Sequence, residues 1–155
     1  MSALVGEILT LGGGFLLAVL WFDLMFDVQA LRAPRGAPLP EAVLASIAGY
    51  YWRVTTEASP MGRVVGVAMM ATIAASLVDC FVGNAPLVWR LVSVALLAAP
   101  VLLAARRVFP NAARLGARGD SLAEQSRLAR TIAWDHIACL VAVLAFLTIQ
   151  LATAW

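Results

Sequence analysis

The sequence predicts an all-α integral membrane protein, a four-transmembrane-helix bundle with an extra interfacial amphipathic helix in the first cytoplasmic loop. Three observations lead there. Of the 155 residues, 63% are hydrophobic and 13% charged, against about 45–50% and about 25% in soluble domains. Four separate stretches stay apolar over the ~20 residues that a helix needs to cross a bilayer. Ten of the 11 basic residues, every one an arginine, fall on one side of the topology those stretches define.

The apolar excess rules out an ordinary soluble fold. The exposed surface of such a fold is already ~60% apolar, so it has no room for more. The mean hydropathy of +0.90 makes lipid the natural solvent. The length suits one membrane domain over residues 1–155. Basic residues interleaved with aromatics, as a nucleic-acid groove requires, are missing, so nucleic acid is not expected as a partner.

The first span is placed at Leu4–Val28. It has no basic segment before Leu4, and its apolar run exceeds the 7–15 residues of a secretory signal. It therefore reads as a retained span inserted with its N-terminus outward. After it, Ala33-Pro34-Arg35-Gly36-Ala37-Pro38-Leu39-Pro40 cannot be helical throughout. From Glu41 to about Ala58, Val43, Ile47, Tyr50, Tyr51, Val54 and Ala58 recur at helical spacing. Tyr50-Tyr51-Trp52-Arg53 sets aromatics beside a cation, as at a headgroup interface. An amphipathic helix on the cytoplasmic face is expected, and a lid or lateral gate over a polar site is the sharper alternative.

Ser59-Pro60 predicts an N-cap and a first-turn proline for the second span, Met61–Val82. Gly83 is expected to end it in the left-handed conformation, and Asn84-Ala85-Pro86 to cap the third span, Leu87–Ala105. Spans two and three thus form a tight hairpin. Ser121 with Glu124 reads as a capping box. A helix from there to about Thr153 exceeds 30 residues, or ~50 Å. The fourth span, Ile132–Ala152, is then preceded by two or three turns outside the bilayer.

Arg32, Arg35, Arg53, Arg63, Arg106, Arg107, Arg114, Arg118, Arg127 and Arg130 lie in or beside loops one and three, and only Arg90 lies opposite. The positive-inside rule puts loops one and three in the cytoplasm and both termini outside. Arginine without lysine, with an Ala/Val/Leu/Gly bias, suggests a GC-rich bacterial genome and hence the bacterial inner membrane, with periplasmic termini.

Ionisable residues at membrane depth are candidate functional groups. Asp23 and Asp27 are one helical turn apart on one face near the cytoplasmic end of span one. Asp135 and His136, the one histidine, lie at the same end of span four. If spans one and four are neighbours, Asp23, Asp27, Asp135 and His136 converge. Asp23, Asp27 and His136 match the ligand count of a facial triad, so a divalent metal is considered as a cofactor. Asp135 and His136 diverge by ~100° around the helix and cannot easily share one ion. Salt bridges from Arg32, Arg53, Arg63, Arg127 and Arg130 to these carboxylates are the preferred reading.

Asp79 and Arg90 flank the short hairpin and are expected to form an ion pair. Glu7 and Gln150 fall toward the same side, where interface solvation accounts for them. Cys80 and Cys139 are expected ~15 Å apart along the membrane normal, beyond the ~7 Å limit for a disulfide. Gly12-Gly13-Gly14 and Gly62-x-x-x-Gly66 permit close helix approach, within the bundle or between copies. No phosphate-binding loop, catalytic triad, paired-cysteine site or haem motif is present.

The expected partners are the lipid bilayer and other membrane subunits or a second copy of the chain. The favoured function is an accessory or structural subunit of a membrane complex, or a small homo-oligomer. The first alternative is a metal-binding protein or enzyme acting on a lipophilic substrate at the Asp/His cluster. The second is a transporter or channel subunit.

Overall fold

The computed structural model describes residues 2–34 and 36–153. It is 89% helical and has no strand among the described residues. Among the described residues six helices run in chain order: α1 Ser2–Arg32, α2 Glu41–Trp52, α3 Ser59–Val82, α4 Leu87–Leu103, α5 Phe109–Ala117 and α6 Leu122–Thr153. Four stretches of the described residues are long and apolar enough to cross a membrane: α1, α3, the continuous run of α4 into α5, and α6.

Two widened π-helical turns, Arg53–Glu57 and Ala104–Val108, join α2 toward α3 and α4 to α5. Each lies just ahead of a proline, Pro60 or Pro110. Proline has no N–H to donate, and its ring collides with the carbonyl four residues back. A locally widened turn relieves that conflict. The third span therefore does not stop at Ala105; its helix continues through the widened turn to Ala117. It ends at Arg118, which takes the left-handed conformation at φ 55°.

Several predicted helix ends shift. Ala58, not Ser59, occupies the cap position of α3. Gly83 is extended, with φ −74° and ψ 156°, so α3 does not end on a left-handed glycine. Its N–H still donates to the Asp79 carbonyl. Pro86 rather than Asn84 precedes α4. The expected capping box forms by half. Ser121 Oγ accepts from the Glu124 N–H at 3.3 Å, but the Glu124 carboxylate turns to Arg114 and Arg127.

The long helices neighbour one another in the cyclic order α1, α3, α4, α6. Spans one and four are thus adjacent, as convergence of the acidic and histidine residues requires. Small residues bring α1 close to its partners. A Cβ on Gly12 would collide with Thr72 of α3, and one on Gly13 would lie 2.7 Å from Leu147 Cδ2 of α6. Gly62 and Gly66, in contrast, face open space. That motif packs nothing within the chain.

The described residues form two apolar cores. One lies toward the α3–α4 hairpin and gathers Val5, Leu9, Ala75, Leu97 and Phe146. The other lies at the arginine-rich end and joins Ala30, Leu44, Ile47, Leu115, Leu128 and Ile132. There α2, α5 and the first turns of α6 form a helical cap. Gly116 allows α5 to approach the α2 backbone, where a Cβ would lie 2.9 Å from the Trp52 nitrogen. The inward stripe of α2 comprises Leu44, Ile47, Ala48 and Tyr51. Its apolar face is covered by other helices of the chain, whereas Trp52 is exposed.

Candidate functional site: a buried Asp–His–Tyr network

Between the two cores, α1 presents Asp23 and Asp27 one turn apart, and α6 presents His136 opposite them. His136 Nδ1 lies 2.6 Å from Asp27 Oδ2. With the ring donating from Nδ1 to the carboxylate, Nε2 turns toward Asp23 Oδ2, 3.8 Å away. Tyr51 of α2 donates its hydroxyl to Asp27 Oδ1 at 2.7 Å, and Tyr50 donates to Asp23 Oδ1 at 2.6 Å. Asp27 is 0% exposed and His136 5%. The ring of Tyr50 stacks on Phe26 with centroids 4.2 Å apart, which fixes where its hydroxyl can point. Burial, followed by the facing carboxylates Asp23 and Asp27 respectively, pushes both phenols up from their ordinary range, so both remain donors.

Three of the four expected cluster residues therefore meet, and Asp135 does not join them. The ~100° rotation between consecutive helical residues turns it away. It pairs instead with Arg107 of the widened turn at 3.1 Å. The expected arginine bridges to Asp23 and Asp27 are replaced by tyrosine hydroxyls. A phenol can be buried at far lower desolvation cost than a guanidinium. Arg127 binds Glu124, and Arg130 donates to the carbonyls of Pro34 and Ala37. Arg32, Arg53 and Arg63 form no ion pair among the described residues.

The tyrosines are the residues that the sequence reading assigned elsewhere, to a headgroup interface. The signal was present: the chain has two tyrosines, consecutive on one helix, and two aspartates one turn apart on another. α2 packs over the cluster and brings both hydroxyls to its carboxylates.

The metal candidates Asp23, Asp27 and His136 come together, but Asp27 uses both oxygens on partners within the chain. Among the described residues no three His, Cys, Asp or Glu side chains are placed to hold a metal ion.

Asp79 and Arg90 meet differently from the expected ion pair. Arg90 Nη1 donates to the backbone carbonyls of Asp79 and Cys80 at 2.9 and 3.0 Å, not to the carboxylate. The last carbonyls of α3 have no partner within their helix and carry the negative end of its dipole, so they compete well for a guanidinium. Nearby, Gln150 donates to Ser93 at 3.1 Å, linking α6 to α4. Cys80 and Cys139 are both free thiols.

The chain matches no protein-family model, and no curated protein or solved structure shows significant similarity to it.

Proposed function

We propose that this chain is an integral protein of a bacterial cytoplasmic membrane, with its arginine-rich cap inside and its termini outside. Within that membrane it acts as a non-catalytic structural or accessory component, in a larger complex or as a homo-oligomer. The observation that carries this reading is Asp27, a fully buried carboxylate whose two oxygens are held by side chains of two other helices. A carboxylate saturated by its own chain locks the helices that carry its partners together. The exposed Trp21, Trp52 and Trp134 at the arginine-rich end, with Trp89 exposed at the hairpin end, support the membrane placement as interfacial aromatics. The open Gly62-x-x-x-Gly66 face on α3 supports assembly with another membrane helix.

The test is native mass spectrometry of the protein extracted from its own membranes in mild detergent. A second polypeptide or a defined homo-oligomer is expected. A monomer carrying a stoichiometric metal or organic ligand, lost from a folded Asp27→Asn variant, would sink the structural reading. Labelling of single cysteines placed at Ser46 and Asn84, in a cysteine-free background, checks orientation. The first should react only from the cytoplasm and the second only from outside.

One observation favours a second reading. Asp23 Oδ2 and His136 Nε2 face each other at 3.8 Å without a direct hydrogen bond. A small cation bridging them is the version of the binding hypothesis that this geometry supports. Elemental analysis of purified protein, with Asp23→Ala as control, decides the metal case.

A further inference from the structure

A groove of about 370 Å³ lies on the outer side of the cap, between the loop Gly36-Ala37-Pro38 and one face of α6. Its α6 wall includes Ala123, Arg127, Arg130 and Trp134. Those positions recur every three or four residues and form one stripe ~16 Å long. The stripe is basic at one end and aromatic at the other.

Arg130 is built into this wall. Its Nη2 donates to the carbonyls of Pro34 and Ala37 at 3.0 and 2.8 Å. Its other two guanidinium nitrogens have no hydrogen-bond partner among the described residues. Arg127 is held bidentately by Glu124, at 2.8 and 2.6 Å. Glu124 also takes Arg114, which binds Asp120. Arg114, Arg127 and Arg130 against Asp120 and Glu124 leave the local balance at one positive charge, three minus two. Thr131 adds a hydroxyl to the lining.

Beyond Trp134 the same face of α6 continues through Ala138 and Val141, both exposed. A polar, cationic recess thus opens directly onto an uncovered apolar track. That sequence of surfaces matches a phosphate-bearing headgroup followed by an acyl chain, whereas a free phosphate would have no use for the track.

We propose that this groove binds one anionic phospholipid, its phosphate on Arg130 and Arg127 and one acyl chain along Trp134, Ala138 and Val141. The proposal rests on the membrane reading above, which puts this end of the bundle at the cytoplasmic leaflet. That leaflet is the one whose negative surface attracts arginine. Trp134 then lies at the level where indoles collect, between headgroups and acyl chains.

The experiment is native mass spectrometry of the detergent-extracted protein titrated with dioleoyl phosphatidylglycerol, dioleoyl phosphatidylcholine or free glycerol phosphate. One phosphatidylglycerol should bind about ten-fold more tightly than phosphatidylcholine, from two arginines at about five-fold each less screening. Arg127→Gln and Arg130→Gln should each weaken phosphatidylglycerol about three-fold, an equal share of that preference after screening. Trp134→Ala should weaken both lipids alike. Arg130→Gln also frees the loop carbonyls, and Arg127→Gln leaves Glu124 to Arg114 alone, so the same loss in both variants, whose local side effects differ, is what assigns it to the headgroup. Equal binding of the two lipids, or indifference to both arginine substitutions, overturns the proposal. So does displacement of phosphatidylglycerol by equimolar glycerol phosphate, which would make the groove an anion site without lipid preference. Membrane fractionation of each variant separates the two ideas: a protein that still needs detergent but shows no lipid preference fails only the groove.

Discussion

His136 Nδ1 and Asp27 Oδ2 lie 2.6 Å apart, in a place where Asp27 is wholly closed to solvent and His136 nearly so. The pair joins the first and last long helices, 109 residues apart in sequence. Tyr51 adds α2 to the same carboxylate. Removing Asp27 would leave both donors buried without an acceptor. Asp27→Ala should cost about 3–5 kcal/mol, and Asp27→Asn less, because one acceptor oxygen remains. Thermal unfolding in detergent checks this; an Asp27→Ala variant as stable as the parent would remove the lock.

The two tyrosines should differ. Tyr51 is buried and serves the fully buried Asp27, so Tyr51→Phe should cost about 1–2 kcal/mol, near the upper range for helix–helix hydrogen bonds in membranes. Tyr50→Phe keeps its stack on Phe26 and leaves Asp23, which is partly exposed, able to find water. A loss below about 0.6 kcal/mol is expected there. Denaturant titration of the two variants side by side reads the order, and a reversed order would contradict the geometry.

Glycine positions split into two groups. Gly116→Ala places a methyl 2.9 Å from the Trp52 nitrogen, a backbone atom that cannot step aside. About 1–3 kcal/mol should be lost as α5 lifts from α2. Gly62→Ala and Gly66→Ala meet nothing in the monomer and should be neutral or stabilise by up to about 1 kcal/mol. If those two instead break an oligomer in native mass spectra, the open face of α3 is the contact between copies.

At the crossing of α1 and α3, a methyl on Gly12 would overlap Thr72 Oγ1, which is held by its bond to the Ala68 carbonyl at 2.7 Å. Gly12→Ala should therefore destabilise, and Thr72→Ala should rescue it. A double-mutant cycle is expected to give coupling of about 1 kcal/mol or more. Additive effects would mean that the helices do not cross there.

At the opposite end, Arg90 grips backbone carbonyls while the Asp79 carboxylate is not its partner. Arg90→Ala should loosen the α3–α4 hairpin by about 1.5–3 kcal/mol, the range for hydrogen bonds to a charged group. Asp79→Asn should cost well under half of that. Equal losses from the two, measured by thermal unfolding, would restore the side-chain ion pair.

By itself the sequence determined the number of long apolar helices, the approximate ends of all but the third, and the asymmetry of arginine. Each of these is a property of contiguous residues: apolar run length, capping chemistry at Ser121, and position relative to a span. It also placed Asp23, Asp27 and His136 at one end, because depth along a helix follows from residue count. Tertiary structure alone decided that α1 and α6 are neighbours, and hence that the three residues meet. It turned the inward face of α2 onto other helices and made Tyr50 and Tyr51 the partners of the aspartates. It also gave Arg90 to carbonyls rather than to Asp79. Those outcomes depend on which groups can share a buried site at the lowest desolvation cost. Linear order does not encode that competition; the packing of four helices and a cap resolves it.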